Sequence, residues 1–161
     1  MINEVIYCLA EVNGSPFYVG RSKDWHRRFQ EHRLAAKHTR NTEVKYQKIR
    51  ELWSKKSDFE IIVLDENPGQ KYERYYHYLL GCEYDLTNQK MGDTYKAINA
   101  ATQVLREKKM EFATPQDFLD ELEIEIAMTA ARKAAAKTQA KIRGRNITDT
   151  HREIRSISAV D

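Results

Sequence analysis

The sequence predicts an α/β protein of the α+β type, in which a small three-stranded antiparallel sheet is flanked by helices and followed by a helical C-terminal extension. Two β-rich segments at residues 5–12 and 17–20 are separated by a turn signal, and the run FEIIVL at residues 59–64 is a third strand. Residues 94–161 show helical patterns alone. We therefore expect one mixed domain over residues 1–93 and a separate helical extension.

The first two strands are expected to form a hairpin. Asn13 and Gly14 lie between them and are the strongest short-range hairpin signal, because a two-residue type I′ turn needs positive φ at both positions. Successive side chains of a strand point to opposite faces, so Tyr7 points away from the face that Ile6 occupies. Tyr18 alternates with its neighbours in the same way, and the hairpin is expected to bring the two phenols together on one face.

A helix is expected to follow the hairpin, with Ser22 as its N-cap, because a serine oxygen can accept a hydrogen bond from an amide of the first turn. The helical stripe of this segment consists of Trp25, Phe29, His32 and Ala36. Arg28 and His32 are four residues apart, so they lie one above the other on the same side of the helix. Two phenols, a guanidinium and an imidazole are therefore expected to converge.

A second helix is predicted over residues 43–55, with Thr42 as its N-cap. Its apolar side carries Tyr46, Ile49, Leu52 and Trp53, and its outer face is basic. A third helix is predicted over residues 71–80, with Asn67 as cap, Pro68 at the first helical position and Gly81 as the stop signal.

The extension is expected to contain a helix over residues 94–109 and a longer one that begins at Thr114 and Pro115. A threonine cap followed by proline is a strong helix start. The long helix is predicted to run to about Arg143, before Gly144, and a short helix around residue 154 to end the chain. The side chains expected to pack on the first domain or on a partner chain are Phe118, Leu119, Leu122 and Ile126.

Charge is distributed unevenly, although the net charge is only +3. Residues 21–56 hold twelve Lys and Arg against four Asp and Glu, residues 57–93 hold three against eight, and residues 131–155 hold eight against two. Two separate basic tracts suit a polyanion such as nucleic acid. Solvated helix faces explain a charge run equally well, so the distribution alone leaves both interpretations open.

Composition argues against a membrane or secreted protein. No apolar run approaches the roughly 18 residues that a membrane span needs, and the start MINEVIY lacks the basic segment of a signal peptide. Two cysteines, Cys8 and Cys82, indicate a reduced, cytoplasmic protein. The histidines have no zinc-ligand spacing with either cysteine.

The motifs of the first domain resemble those of the GIY-YIG nuclease superfamily, which includes phage homing endonucleases and some restriction enzymes. The motif occurs as VIY at residues 5–7, with valine in place of the first glycine, and as YVG at residues 18–20. Arg28 matches the arginine of the following helix. Glu73, followed three residues later by Tyr76, matches the family's glutamate. The resemblance covers about residues 4–93 and implies a compact mixed fold.

The resemblance implies a metal-dependent DNA endonuclease inside a bacterial cell, with Glu73 holding Mg²⁺ or Mn²⁺. The family's closing segment supplies an asparagine, and here Asn88 matches by residue type while Asp85 matches by spacing; we prefer Asn88. The expected catalytic set is Tyr7, Tyr18, Arg28, His32, Glu73 and Asn88.

Chemistry gives these residues distinct expected roles. Arg28 would hold the scissile phosphate as a bidentate fork, and Tyr18 would orient the water or the phosphate. Tyr7 would act as general base, provided that Arg28, the metal, and Arg21 or Lys23 favour its anion. His32 would share proton transfer, because its ordinary pKa is near neutrality. The expected nucleic-acid contacts are Arg21, Lys23, Arg27, Lys45, Lys48, Lys137, Lys141 and Arg143.

Each of these residues alone has a simpler interpretation: a packed tyrosine or histidine, or a solvated arginine or glutamate. Their combination in one order favours the nuclease. The alternative is a non-cleaving DNA-binding module or regulatory subunit with the same fold. Homo-oligomerisation is a further hypothesis, because one site would need two copies or two visits to cut both strands.

Overall fold

The computed structural model describes residues 4–12, 14–66, 72–88 and 93–157, with the backbone alone at 93–95 and 144–157. The elements, in chain order, are β1 (Val5–Glu11), β2 (Pro16–Ser22), α1 (Trp25–Lys37), α2 (Val44–Ser54), β3 (Phe59–Glu66), α3 (Glu73–Gly81), α4 (Asp93–Glu107) and α5 (Pro115–Ile157). No helix in these ranges is both long and apolar enough to cross a bilayer.

The three strands form one antiparallel sheet in the order β2-β1-β3, which confirms the predicted sheet. β1 is central because it is the most apolar strand, and nearly all of its side chains are buried. Tyr7 and Leu9 point to the face covered by α1 and α2. Ile6 and Cys8 point to the opposite face, where they meet side chains of α3. The sheet is therefore buried between two helical layers.

The predicted two-residue turn is wrong. β1 ends at Glu11 and β2 begins at Pro16, so four residues connect the strands. The Gly14 amide donates to the Glu11 carbonyl at 2.8 Å. The Val12 amide donates to a residue outside the hairpin, the Asp58 carbonyl, at 3.1 Å. Pro16 has no amide to extend the ladder. Asn13 itself lies outside the described residues.

The caps of the first two helices also differ from the prediction. β2 continues through Ser22, so α1 begins later and Asp24 is its N-cap, accepting a hydrogen bond from the Arg27 amide at 2.9 Å. α2 begins at Val44 after Glu43, which makes no side-chain cap hydrogen bond. Thr42 is therefore not a cap, and helical packing rather than capping fixes this start.

The third helix begins at Glu73, two residues later than predicted, and includes Gly81 instead of stopping before it. A Cβ at Gly81 would collide with the guanidinium of Arg106. The guanidinium is the mobile end of a long side chain, so the contact does not require glycine; Gly81 simply lies within α3 and does not end it. The predicted cap and proline, Asn67 and Pro68, lie outside the described residues.

α4 and α5 pack on α3, so the apolar residues of α5 contact the chain's own first 93 residues, one of the two alternatives expected for them. The shared core contains Tyr78 of α3, Ile98 and Leu105 of α4, and Phe118 and Leu122 of α5. The Phe118 ring lies 4.9 Å from the Tyr78 ring, centroid to centroid. A buried aromatic cluster therefore joins α3 to α4 and α5.

α5 starts at the predicted place but ends much later. The Thr114 hydroxyl accepts from the Asp117 amide at 3.2 Å, and the Asp117 carboxylate accepts from the Thr114 amide at 2.9 Å, which is a reciprocal cap. The helix then runs through Gly144 to Ile157 without interruption. The predicted stop and the separate short helix are wrong, because one glycine costs only about 1 kcal/mol in a helix.

Candidate active site

Tyr7 and Tyr18 meet beneath α1, as the alternation of the strands predicts. The register pairs Tyr7 with Gly20 and Tyr18 with Leu9, so the two rings are diagonal neighbours with centroids 6.5 Å apart. A Cβ at Gly20 would lie 2.7 Å from the Tyr7 hydroxyl and 2.8 Å from the Tyr18 ring. Gly20, the last residue of the YVG motif, must therefore be a glycine, because the rings of Tyr7 and Tyr18 fill the space that any larger side chain would need.

His32 is fully buried and lies against both tyrosines. Its Nε2 is 2.9 Å from the Tyr7 hydroxyl, and its ring centroid is 5.8 Å from that of Tyr18. Burial first, then the positive charges of Arg28 and Lys45, lower the pKa of His32 to about 3. The imidazole is neutral at physiological pH, so its ordinary near-neutral pKa, on which the expected proton transfer depended, does not apply.

The tautomer of His32 follows from hydrogen-bond accounting. Its Nδ1 is buried and has no hydrogen-bond partner among the described residues. A proton on Nδ1 would leave a buried donor unpaired at a cost of about 1–3 kcal/mol. A proton on Nε2 leaves the Nδ1 lone pair unpaired and lets His32 donate to the Tyr7 oxygen, but a protonated Tyr7 must then turn its own O–H to another acceptor. Hydrogen-bond accounting therefore selects the proton on Nε2 for the phenolate form of Tyr7, in which that O–H donor is gone.

Arg28 lies on the same side of α1 as His32. Its Nη1 pairs with Glu31 at 2.8 Å, and its side chain is half-buried. Burial raises the pKa of Tyr7, and the Arg28 charge opposes this shift without reversing it. Burial likewise raises the pKa of Tyr18. Both phenols are consequently protonated at neutral pH in the free protein.

The other cations expected to favour the Tyr7 anion are not its largest electrostatic partners. The Arg21 guanidinium pairs with Glu4 at 3.1 Å and lies 3.8 Å from the Glu73 carboxylate. Lys23 is exposed just after β2. The largest influences on the pKa of Tyr7 are its burial and Arg28, followed by Glu73 and Tyr46.

Glu73 opens α3, on the other side of the sheet from α1, yet it belongs to the same polar environment. Its side chain is 19 % exposed. Its negative charge contributes to raising the pKa values of Tyr7 and Tyr18. Three residues later, the Tyr76 hydroxyl donates to Asp65 at 3.0 Å, which ties the start of α3 to β3.

Asn88 supports the site by holding the edge of the sheet. Its Oδ1 accepts from the Val19 amide at 2.9 Å, and its Nδ2 donates to the Val19 carbonyl at 2.7 Å. Both polar atoms of the Asn88 side chain are therefore hydrogen-bonded to the backbone of β2, the strand that carries Tyr18. Asp85, the competing candidate, is exposed beside Gly81 and Arg106, in a groove between α3 and α4.

The expected nucleic-acid contacts divide into two groups. Lys45 is only 12 % exposed, pairs with Glu43 at 2.7 Å, and lies 4.7 Å from the centroid of the Tyr18 ring. It packs on Tyr18 and helps to lower the pKa of His32, contacts that sequence reasoning missed. Lys48 pairs with Glu11 at 2.8 Å. The exposed members are Lys23, Arg27, Lys137, Lys141 and Arg143.

Tyr46 is a second residue beside the cluster of Tyr7, Tyr18 and His32 that the sequence did not reveal. It lies on the apolar stripe of α2, which reads as core, and it is buried. Its ring centroid nevertheless lies 5.9 Å from that of His32. A buried tyrosine beside this cluster has no sequence signal that separates it from ordinary packing.

Two phenols, a guanidinium and a buried imidazole thus cluster on the α1 side of a three-stranded sheet, and the Glu73 carboxylate is near enough to raise the pKa values of both phenols. This arrangement is that of a compact mixed-fold domain of the nuclease class. Residues 3–82 match the family model of the GIY-YIG catalytic domain. This part of the chain belongs to the GIY-YIG nuclease superfamily, as the motifs predicted. No curated protein and no solved structure matches the chain significantly.

The donor set fits only a cation that keeps most of its water. No cluster of three or more His, Cys, Asp or Glu able to hold a metal occurs in the described part of the chain. Glu73 offers one carboxylate, and the Asn88 amide is already bonded to β2. Mg²⁺ typically keeps several waters and takes one or two carboxylates, so Glu73 suits it.

His32 gives the stability of the domain a defined pH dependence. The pKa of His32 is lowered to about 3, below its unfolded value, so between about pH 6.5 and pH 3 the unfolded chain binds a proton that the folded chain does not. Stability is therefore fully present above pH 6.5 and falls with acidification by up to about 1.4 kcal/mol per pH unit.

Urea unfolding at several pH values checks this expectation. A His32→Gln variant is expected to lose this contribution to the slope between pH 6.5 and 5, whereas a control variant of the exposed His26 keeps it. An unchanged slope in His32→Gln would show that the imidazole is not buried neutral.

Proposed function

We propose that the protein is a DNA endonuclease that hydrolyses phosphodiester bonds with Mg²⁺ or Mn²⁺. The observation that carries this proposal is the Tyr7 hydroxyl, 2.9 Å from a buried neutral imidazole and within the field of both Arg28 and Glu73. Its pocket offers a base, a cation for a phosphate and a carboxylate for a metal. DNA is the substrate that a nuclease domain with exposed basic residues suits best.

Arg28 is the proposed phosphate clamp. A guanidinium presents paired donors that match two phosphate oxygens, and it stays charged at every relevant pH. In the free protein Glu31 occupies part of this fork. A half-exposed ion pair of this kind is worth only about 0–1 kcal/mol, so a phosphate can displace Glu31 at little cost.

Tyr7 is the proposed general base, and His32 is a positioning residue rather than a proton carrier. With its proton on Nε2, His32 donates to the Tyr7 oxygen and stabilises the phenolate relative to the phenol. Arg28 acts in the same direction. The phenolate then takes a proton from the attacking water. Tyr18, beside Tyr7, orients that water or the phosphate.

A divalent cation at Glu73 would supply Lewis-acid stabilisation of the leaving 3′ oxygen. Asn88 holds β2 through the Val19 backbone, so its proposed role is to fix the position of Tyr18. Lys45, over the Tyr18 ring, adds positive potential at the pocket. Proposed contacts to the DNA backbone are Arg21, Lys23, Arg27, Lys48, Lys137, Lys141 and Arg143.

The second candidate is a DNA-binding module with this fold that does not cut. Tyr7 is completely buried in the free chain, and the pKa values of both phenols are raised, which favours an inactive pocket. In this case residues 94–161, which we propose as a separate extension, would contribute most of the DNA affinity.

Cleavage of supercoiled plasmid separates the two candidates. The nuclease is expected to produce nicked or linear DNA with Mg²⁺ or Mn²⁺ and none after chelation by EDTA. DNA binding that weakens with salt, without cleavage in either metal, would identify the non-cleaving module and overturn the enzyme proposal.

A further inference from the structure

α5 is far longer than the surface that it packs against. It contains 43 residues and is about 64 Å long at 1.5 Å per residue. Among the side chains that the structure describes, up to residue 143, its buried residues lie in the first three turns: Phe118, Leu119, Leu122 and Glu125. Every residue from 130 to 143 is exposed. A helix gains most of its stability from packing of one face, so this segment lacks the partner that a helix of its length normally has.

An apolar seam runs along the uncovered side of α5. The residues follow one another at alternating intervals of four and three, and they are Ile124, Met128, Ala131, Ala135, Thr138 and Ile142. At 3.6 residues per turn this seam lies opposite Leu122 and the core. Alternating intervals of this kind are the signature of a helix that packs along another helix.

The large side chains of the seam are among the most exposed apolar groups described in the chain. Ile124 is 52 % exposed, Met128 is 42 % exposed and Ile142 is 53 % exposed. All three lie on one side of one helix. Scattered single exposures are ordinary on a protein surface, but a continuous row indicates a docking surface.

The order of residues along the seam is symmetric about residue 133. If a second α5 runs antiparallel about that centre, Ile124 meets Ile142 of the other copy and Met128 meets Thr138. Ala131 and Ala135 meet each other at the middle, where small side chains allow close approach. Each contact then occurs twice, as an isologous two-fold interface requires.

Charge selects the same orientation. Residues 115–131 hold five acids and no base, and residues 132–143 hold five bases and no acid. Antiparallel pairing places each acidic half beside the basic half of the other copy, whereas parallel pairing places like charges together. Within its own chain, Glu125 pairs with Lys108 at 2.7 Å and with Arg132 at 3.2 Å.

Most of the basic half is left uncompensated in the chain itself. Among the described residues, no carboxylate lies within ion-pair distance of Lys133, Lys137, Lys141 or Arg143. Lys133 and Lys137 lie on the side of the helix away from the seam, and Lys141 lies on its flank. They would remain accessible to DNA after the seam is covered, so the dimer and a DNA-contacting surface are compatible.

We propose that α5 docks against α5 of a second copy of this chain, antiparallel and centred on residue 133. The interface does not depend on the proposed function. Each α5 packs on the rest of its own chain at Leu122. In combination with the proposed function, the antiparallel pair would hold the two Leu122 residues, and with them the two nuclease domains, about 33 Å apart along the helix axis. That separation is close to one turn of B-DNA, about 34–36 Å, and would suit cutting of both strands.

Oligomeric state is the first test, because it needs neither DNA nor activity. Sedimentation velocity of the full chain, from low to high micromolar concentration, is expected to show a monomer–dimer equilibrium. Ile124→Glu with Ile142→Glu brings four carboxylates together at the two ends of the seam and is expected to abolish the dimer. The control, Ala130→Glu with Ala140→Glu, adds the same charge on the opposite side and is expected to retain it.

Cysteine trapping tests the orientation. In a Cys82→Ser background, a mixture of the Ile124→Cys and Ile142→Cys chains is expected to form an intermolecular disulfide. Neither variant alone is expected to do so, because each residue lies about 27 Å along the axis from its own copy. Cross-linking within one variant would show a parallel pair, and a chain that stays monomeric at every concentration would overturn the proposal.

Discussion

Tyr7→Phe is expected to reduce DNA cleavage by about 10²- to 10⁴-fold, the usual contribution of a general base. The substitution removes one oxygen and leaves the ring, which is fully buried in the core on the α1 side of the sheet. The folded state loses the hydrogen bond to His32 and leaves its buried N–H unpaired, at a cost of about 1–3 kcal/mol. The expected result is a stable protein that binds DNA and does not cut it.

Single-turnover cleavage with excess enzyme measures this effect without a contribution from product release. The matched control is Tyr75→Phe, which removes a hydroxyl from α3 where the ring packs against Phe118. The control is expected to keep full activity. Equal loss in both variants would indicate a general effect of destabilisation, and full activity in Tyr7→Phe would exclude it as the base.

The pH profile provides an independent readout of the same role. Because burial raises the pKa of Tyr7, only a small fraction is ionised at neutral pH. The rate of the wild-type protein is expected to increase about tenfold per pH unit from neutral pH upward, as the phenolate fraction grows. A plateau near pH 6.5 would instead indicate a base with the ordinary pKa of histidine.

Local patterns predicted the elements of the site well. Period-two alternation placed Tyr7 and Tyr18 on one face, and four-residue spacing placed Arg28 above His32, because both rules depend only on backbone geometry. Glu73 was predicted from family resemblance alone. Its position by the sheet depends on the packing of α3, which no local pattern encodes.

The failures have equally physical causes. Ser22 and Thr42 are good caps by residue type, but strand length and helix packing decided where α1 and α2 begin. The pKa of His32 could not be predicted, because burial and nearby charge are tertiary properties. Gly81 suggested the end of a helix, but α3 continues through it, because a single glycine costs only about 1 kcal/mol in a helix.

Glu73→Gln is expected to reduce cleavage by at least about 10³-fold, because it removes the only carboxylate proposed to hold the cation, and Lewis-acid stabilisation is worth several kcal/mol. DNA binding is expected to remain, since the basic residues are untouched. Glu83→Gln, at an exposed position just after α3, is the control and is expected to cleave normally. Cleavage by Glu73→Gln at the wild-type rate in Mg²⁺ would remove Glu73 from the mechanism.

The effect of Glu73 on the ionisation of the two tyrosines provides a second measurement on the same variant. The Glu73 charge contributes to raising the pKa values of Tyr7 and Tyr18, so its removal is expected to make the phenols ionise at lower pH. Ultraviolet titration of tyrosine in the metal-free protein measures that shift. If tyrosines of the Glu73→Gln variant ionise at lower pH and the variant does not cleave, the proposed base Tyr7 is intact and the loss of activity is due to the lost cation. Loss of cleavage with unchanged tyrosine titration would show instead that Glu73 lies too far from the phenols to share their site.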